Sequence, residues 1–159
     1  MASMNEEEWL ATLDKRYRSI GKFTYEFSTL ELYVGSILKH VIRLEQRFSR
    51  LILASYDFAT LCKTTGACLK ERTDDTAFHK QVDAVVGKCL GINNERVKIA
   101  HGSWFLHMGA FHTSRQSMKS KLYFQELEEI DSLSASISAL IDEFMQLADK
   151  IDPGVVEGE

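Results

Sequence analysis

Apolar residues recur along this chain at steps of three and four, the spacing that lines up side chains on one face of an α-helix. Phe23, Phe27, Leu30, Val34, Ile37, Leu38 and Val41 form the first such stripe. Asn5 followed by Glu6, Glu7 and Glu8 supplies the helix start, an acceptor at the cap with carboxylates against the positive end of the helix dipole. The pattern predicts a long first helical region, with Gly21 as the place for a bend. A second helix is predicted from about Asp57 to Arg72, with Phe58, Leu61, Cys62 and Leu69 inward. Thr73-Asp74-Asp75-Thr76 then breaks the chain and offers new caps. Phe78, Val82, Val85, Val86 and Cys89 open a third helix that runs to His101, where Gly102 is a natural stop.

Beyond Gly102 the period changes. Aromatics crowd at short spacing around Gly109, which predicts an irregular excursion or small hairpin. Ile130, Leu133, Ile137, Leu140, Phe144, Leu147 and Ile151 then alternate steps of three and four until Pro153 and Gly154 end the last helix. That seam can pack inside the bundle or against a second copy, and in a chain of this size packing within the bundle is expected. The predicted fold class is therefore all-α, a bundle of four to five helices with a short irregular or hairpin excursion before the last one. One domain over residues 5–152 is expected. Residues 1–4 are set aside, and 153–159 are read as a disordered acidic tail.

Composition narrows the setting more than the fold. The 159 residues are 45% hydrophobic with a single proline, enough for a core without disulfides or metals. No apolar run reaches the length of about 18 residues that a membrane span needs, and the acidic start is unlike a secretory leader. A cytoplasmic protein with no membrane partner is expected. Cys62, Cys68 and Cys89 are odd in number and lack C-x-x-C spacing, so they read as small apolar helix residues. No cofactor is expected.

The net charge of −4 is unevenly spread. Ten acidic residues face Lys150 alone between Glu126 and Glu159. From Arg96 to Gln125 there are five basic residues, three histidines and no carboxylate. His101, His107 and His112 match no strong ligand spacing, so no metal site is predicted. Trp104 and Phe105 are expected to pack back on the bundle. Lys98, Arg115, Lys119 and Lys121 are candidates for guiding RNA by charge.

Arg96 and His101 head this acid-free stretch. At about 100° per residue from Phe78, Arg96 returns to the centre of the third helix's apolar stripe, and His101 falls about 140° away in the last turn. A guanidinium on an apolar stripe must be paired, line a cleft or face a partner subunit, and here the stripe is expected to meet a partner. Asn93 and Asn94 are candidates for contact with phosphate or a base, and Glu31 is a candidate to pair with Arg96 and hold its rotamer. Arg72 and His79 form a second, looser arginine-histidine pair across the Asp74-Asp75 break, where carboxylates would repel phosphate, and are read as chance.

The segment Arg96-Val97-Lys98-Ile99-Ala100-His101-Gly102 resembles the R-φ-x3-H signature of the HEPN superfamily, the higher eukaryotes and prokaryotes nucleotide-binding domains, with Val97 as φ. The resemblance extends over about Glu8 to Ile151 through the long first helix and the terminal helix after a short excursion. Val97 stands where active members often carry Asn or Asp, and Ser103 where some carry a modified tyrosine. The resemblance implies a homodimeric, metal-independent endoribonuclease of toxin or antiviral-defence type. Arg96 and His101 of two copies would form one site, and an antitoxin or regulatory protein is a further implied partner. A catalytically silent HEPN module that binds nucleotide or RNA, and a helical interaction or assembly protein working through the terminal seam, are the alternative expectations.

Overall fold

The computed structural model describes residues 5–105, 109–113, 120–124 and 126–153. Its first helix, α1, spans Glu6–Val41 and starts on a reciprocal cap. The Asn5 side chain accepts from the Glu8 N–H at 2.9 Å, and Glu8 Oε2 accepts from the Asn5 N–H at 3.1 Å. Gly21 does not interrupt it. The helix closes with Arg43 at φ 51°, where the Arg43 N–H reaches the His40 carbonyl and the Leu44 N–H the Lys39 carbonyl. This is the paired closure usually given to glycine, so an arginine conceals the helix end in the sequence.

The short helix α2 (Gln46–Leu53) follows, then α3 (Phe58–Lys70), capped by Asp57 Oδ1 on the Thr60 N–H at 2.7 Å. That bond favours the carboxylate and holds the Asp57 pKa below its ordinary value. Helix α4 (Thr76–His101) begins at an Asp75 cap and continues unbroken through Gly87 and Gly91. Strands β1 (Ser103–Phe105), β2 (Gly109–Thr113) and β3 (Ser120–Phe124) form an antiparallel meander with Trp104 opposite Ala110 and an irregularity between Ala110 and Phe111. The predicted hairpin is thus present and gains a third strand. Helix α5 (Leu127–Ile151) completes the all-α bundle of five helices.

The four long helices form a closed ring of neighbours. α1 packs against α5 and α3, α4 packs against the same two, and α1 and α4 meet only slightly across the diagonal. The α5 seam is inside: Ile130, Ile137, Leu140, Phe144 and Leu147 are buried, with Leu133 and Ile151 packed on the same core. The terminal seam is therefore covered by the chain's own helices. Cys62 and Cys89 are buried free thiols, and their mutual hydrogen bond and burial push the Cys62 pKa up. Among the described residues no helix is long and apolar enough to cross a membrane.

Two glycines mark opposite packing conditions. A Cβ built on Gly66 would stand 2.7 Å from Val86 Cγ2, because α3 and α4 approach closely there; at Gly21 nothing lies within 4 Å. Gly66→Ala is expected to destabilise by about 1–3 kcal/mol through overpacking. Gly21→Ala is expected to stabilise by about 0.5–1 kcal/mol through helix propensity. Paired thermal melts should move in opposite directions, and a shared direction would disprove the packing difference.

Candidate phosphate site at the end of α4

Phe78, Val82, Val85, Cys89, Ile92 and Ile99 are the buried residues of α4, and Arg96 takes the next place in their three-and-four sequence, between Ile92 and Ile99. The unbroken helix keeps the phase that the sequence pattern required. Within the chain this stripe meets α1. Ile92 and Ile99 are buried in the chain's own core, and the Arg96 guanidinium lies over the Phe27 ring of α1, 5.4 Å from its centroid. The stripe faces α1 across the bundle diagonal.

Arg96 is half-buried, and its Nε donates to Asn93 Oδ1 at 3.3 Å. Among the described residues no ion pair joins it to a carboxylate, Glu31 included. Glu31 is exposed and lines a cleft with Leu32, Gly35, Lys39, Tyr56 and Leu61. Its pairing with Arg96 is not made because α3 packs on this part of α1, and Glu31 acts electrostatically on Cys62 of α3. The guanidinium is thus held by an amide oxygen and an aromatic face, neither of which neutralises it. Such a group keeps the capacity to bind an anion with its remaining donors.

His101 is the last residue of α4 and is exposed, on a helix end where a cation is favoured by the carbonyl dipoles. Gly102 follows with φ −72° and ψ 149°, an extended conformation that leads into β1. It stops the helix without using the left-handed region available to glycine. Asn94, seven residues or about two turns before His101 on the same side of the helix, is also exposed. Lys98 Nζ lies 2.6 Å from Glu95 Oε1, so its charge is opposed within the helix.

The remaining candidates separate cleanly. Trp104 packs on the bundle as expected: its Nε1 donates to the Ile99 carbonyl at 3.0 Å and its ring stacks on Phe124 at 6.0 Å. Phe105, His112 and Lys121 lie in the strands, while His107, Arg115 and Lys119 fall outside the described residues, as does most of the acidic tail. Arg72 donates to the Val41 carbonyl, and His79 Nε2 meets the Lys70 and Thr73 carbonyls at 3.0 and 2.7 Å. That pair therefore closes helix ends, which accounts for it without phosphate. Among the described residues no cluster of three or more His, Cys, Asp or Glu is placed to hold a metal ion.

Pattern reading missed Arg16. It is buried at 7% exposure on α1's core face, with its Cζ 5.7 Å from the Trp104 ring centroid. The signal was present, since Arg16 lies seven residues before Phe23 on the same stripe. From Arg96 to Trp104 the contact on α1 moves back from Phe27 to Arg16, so the two helices run in opposite directions and both arginines stand on one side of the bundle.

No protein-family model matches the chain, and neither a curated protein nor a solved structure matches it significantly.

Replacing Arg96 with methionine separates site from scaffold. A half-buried charge without a carboxylate contributes little to stability, and an apolar chain of similar length suits a core-stripe position. Arg96→Met is expected to leave the melting temperature unchanged or raised in a thermal scan. A fall of more than about 5 °C, roughly 1.5–2.5 kcal/mol in a domain of this size, would show that the Asn93 and Phe27 contacts hold the fold.

Proposed function

We propose that this chain is a metal-independent endoribonuclease of the HEPN type, acting in a toxin or antiviral-defence setting in the cytoplasm. The observation that carries this reading is Arg96: a guanidinium on the core stripe, oriented by Asn93 and Phe27 and left without a carboxylate among the described residues. Its fork suits the non-bridging oxygens of a phosphodiester.

In this reading the RNA 2′-OH attacks the adjacent phosphorus, the bond to the 5′ oxygen breaks, and the products are a 2′,3′-cyclic phosphate and a 5′-hydroxyl. One His101 accepts the 2′-OH proton and a second, from another copy, protonates the leaving oxygen. Arg96 stabilises charge on the phosphorane. The exposed position of His101 supports a site completed from outside the chain. An antitoxin or regulatory partner is part of the same proposal.

Purified protein incubated with RNA in EDTA tests it: cyclic phosphate ends supports the reading, and intact RNA at high protein concentration opposes it. A second reading, an HEPN-like module that binds RNA or nucleotide without cleaving it, is favoured by Val97 beside Arg96, which offers no polar group. Binding that survives His101→Ala but not Arg96→Ala, without cleavage, selects that reading.

A further inference from the structure

α2 turns most of its apolar residues outward. Ser49 is buried at 6% exposure and Leu53 packs partly buried on the core, while Phe48, Leu51 and Ile52 are exposed, Leu51 at 75%. Arg43, Arg47 and Arg50 surround them, and Ile42 just before is exposed as well. The far end of α1 carries the reverse combination, exposed Trp9 and Leu10 behind Glu6, Glu7 and Glu8. Helix α1 is about 54 Å long at 1.5 Å per residue, so the two patches stand at opposite ends of the molecule.

A strip of exposed residues runs between them, interrupted by Asp14, which pairs with Arg18 at 2.7 Å. Leu10, Tyr17, Tyr25 and Leu32 are all exposed, and on a helical wheel at about 100° per residue they fall within an arc of about 80° on the side away from the core stripe. Gly21 lies in the middle of this arc with open space over it. A chain with one apolar core does not need a second apolar stripe on the same helix, and an exposed patch of this extent marks an interaction surface.

We propose that a second copy of this chain packs antiparallel along the outward face of α1. The charge pattern selects the occupant. Turning one copy about a twofold axis between Thr24 and Tyr25 brings Glu6 opposite Arg43, Leu10 opposite Lys39, Tyr17 opposite Leu32, and Gly21 opposite Ser28. Acidic ends thus meet basic ends twice, large side chains meet large ones, and small residues fall near the crossing. The cleft of about 240 Å³ bordered by Leu32, Gly35, Leu53 and Tyr56 lies where the Leu10 end of the partner arrives. An anionic lipid surface would suit α2 but repel Glu6 and Glu7 beside the same strip.

This face lies about 120° around α1 from Phe27, which carries Arg96, so the pair leaves Arg96 uncovered. The proposal does not rest on the ribonuclease reading. Each α4 lies across its own bundle from the α1 contact, so the two His101 side chains stand on the outer sides of the pair; bringing them together uses a different contact and the two readings fail separately.

Sedimentation equilibrium and disulfide trapping test the interface. Wild-type protein is expected to self-associate at micromolar concentration, to at least twice the 18.1 kDa chain mass. Gly21→Arg, placed in open space and therefore neutral to the fold, is expected to raise the dimer dissociation constant at least tenfold with an unchanged circular dichroism spectrum. The Leu10→Cys, Lys39→Cys double variant is expected to cross-link between chains on mild oxidation, and each single variant is not. A monomeric wild type, a Gly21→Arg dimer of undiminished affinity, or efficient cross-linking by Leu10→Cys alone would overturn it. So would a monomer that binds phosphatidylserine vesicles through α2.

Discussion

His101→Ala is expected to lower RNA cleavage in EDTA by about 10²- to 10⁴-fold, the usual contribution of a positioned acid or base. His101 is exposed and terminal on α4, so its removal takes no packing from the core and the melting temperature should stay within a few degrees. Arg96→Ala should reduce cleavage as well and, unlike His101→Ala, should also weaken RNA binding, because in the proposed mechanism the guanidinium would meet phosphate in the ground state as in the transition state. The measurement is cyclic phosphate formation on labelled RNA, with a gel-shift assay of each variant. Cleavage by His101→Ala at the wild-type rate would remove the histidine from the mechanism, whatever Arg96 does.

Phe144→Ala is expected to destabilise the chain by about 3–5 kcal/mol, a large fraction of the stability of any single domain. Phe144 is 1% exposed on α5, which packs against both α1 and α4, and the bundle closes around this seam. Deleting the ring leaves a cavity that three helices line and that none can fill without moving. Denaturant titration should show a lowered midpoint with an unchanged slope. A loss below about 1 kcal/mol would mean that the seam is not core. An assembly protein working through this seam would lose association and keep its fold, the opposite result.

These two outcomes also mark how far the residues could be read in order. α1, α3, α4 and α5 were legible because each carries an apolar stripe with period near 3.6 and a polar cap: Asn5, Asp57, Asp75 and the Glu126–Glu129 pair. α2 was not, because its apolar face turns outward and its helix start has no side-chain cap. The third strand was missed because Lys121, Leu122, Tyr123 and Phe124 are too few to establish a period. In the site, Arg96 was placed on the stripe correctly, but its pairing with Glu31 is not made and its contact with Phe27 was not foreseen.

The sequence by itself determined the helical class, the seam of α5, and the position of Arg96 in phase with Ile92 and Ile99. Periodicity is a local property, and each helix carries its own. Only the tertiary structure decided which helices are neighbours and which are diagonal, and this sets what each stripe touches. Arg96 meets Phe27 because α4 lies across the bundle from α1, and Glu31 does not meet Arg96 because α3 packs beside it on α1. The surplus stripe on α1 likewise became visible once its other face was seen to be fully used. Helical phase fixes angles along one element, whereas contacts between elements depend on packing that no single period encodes.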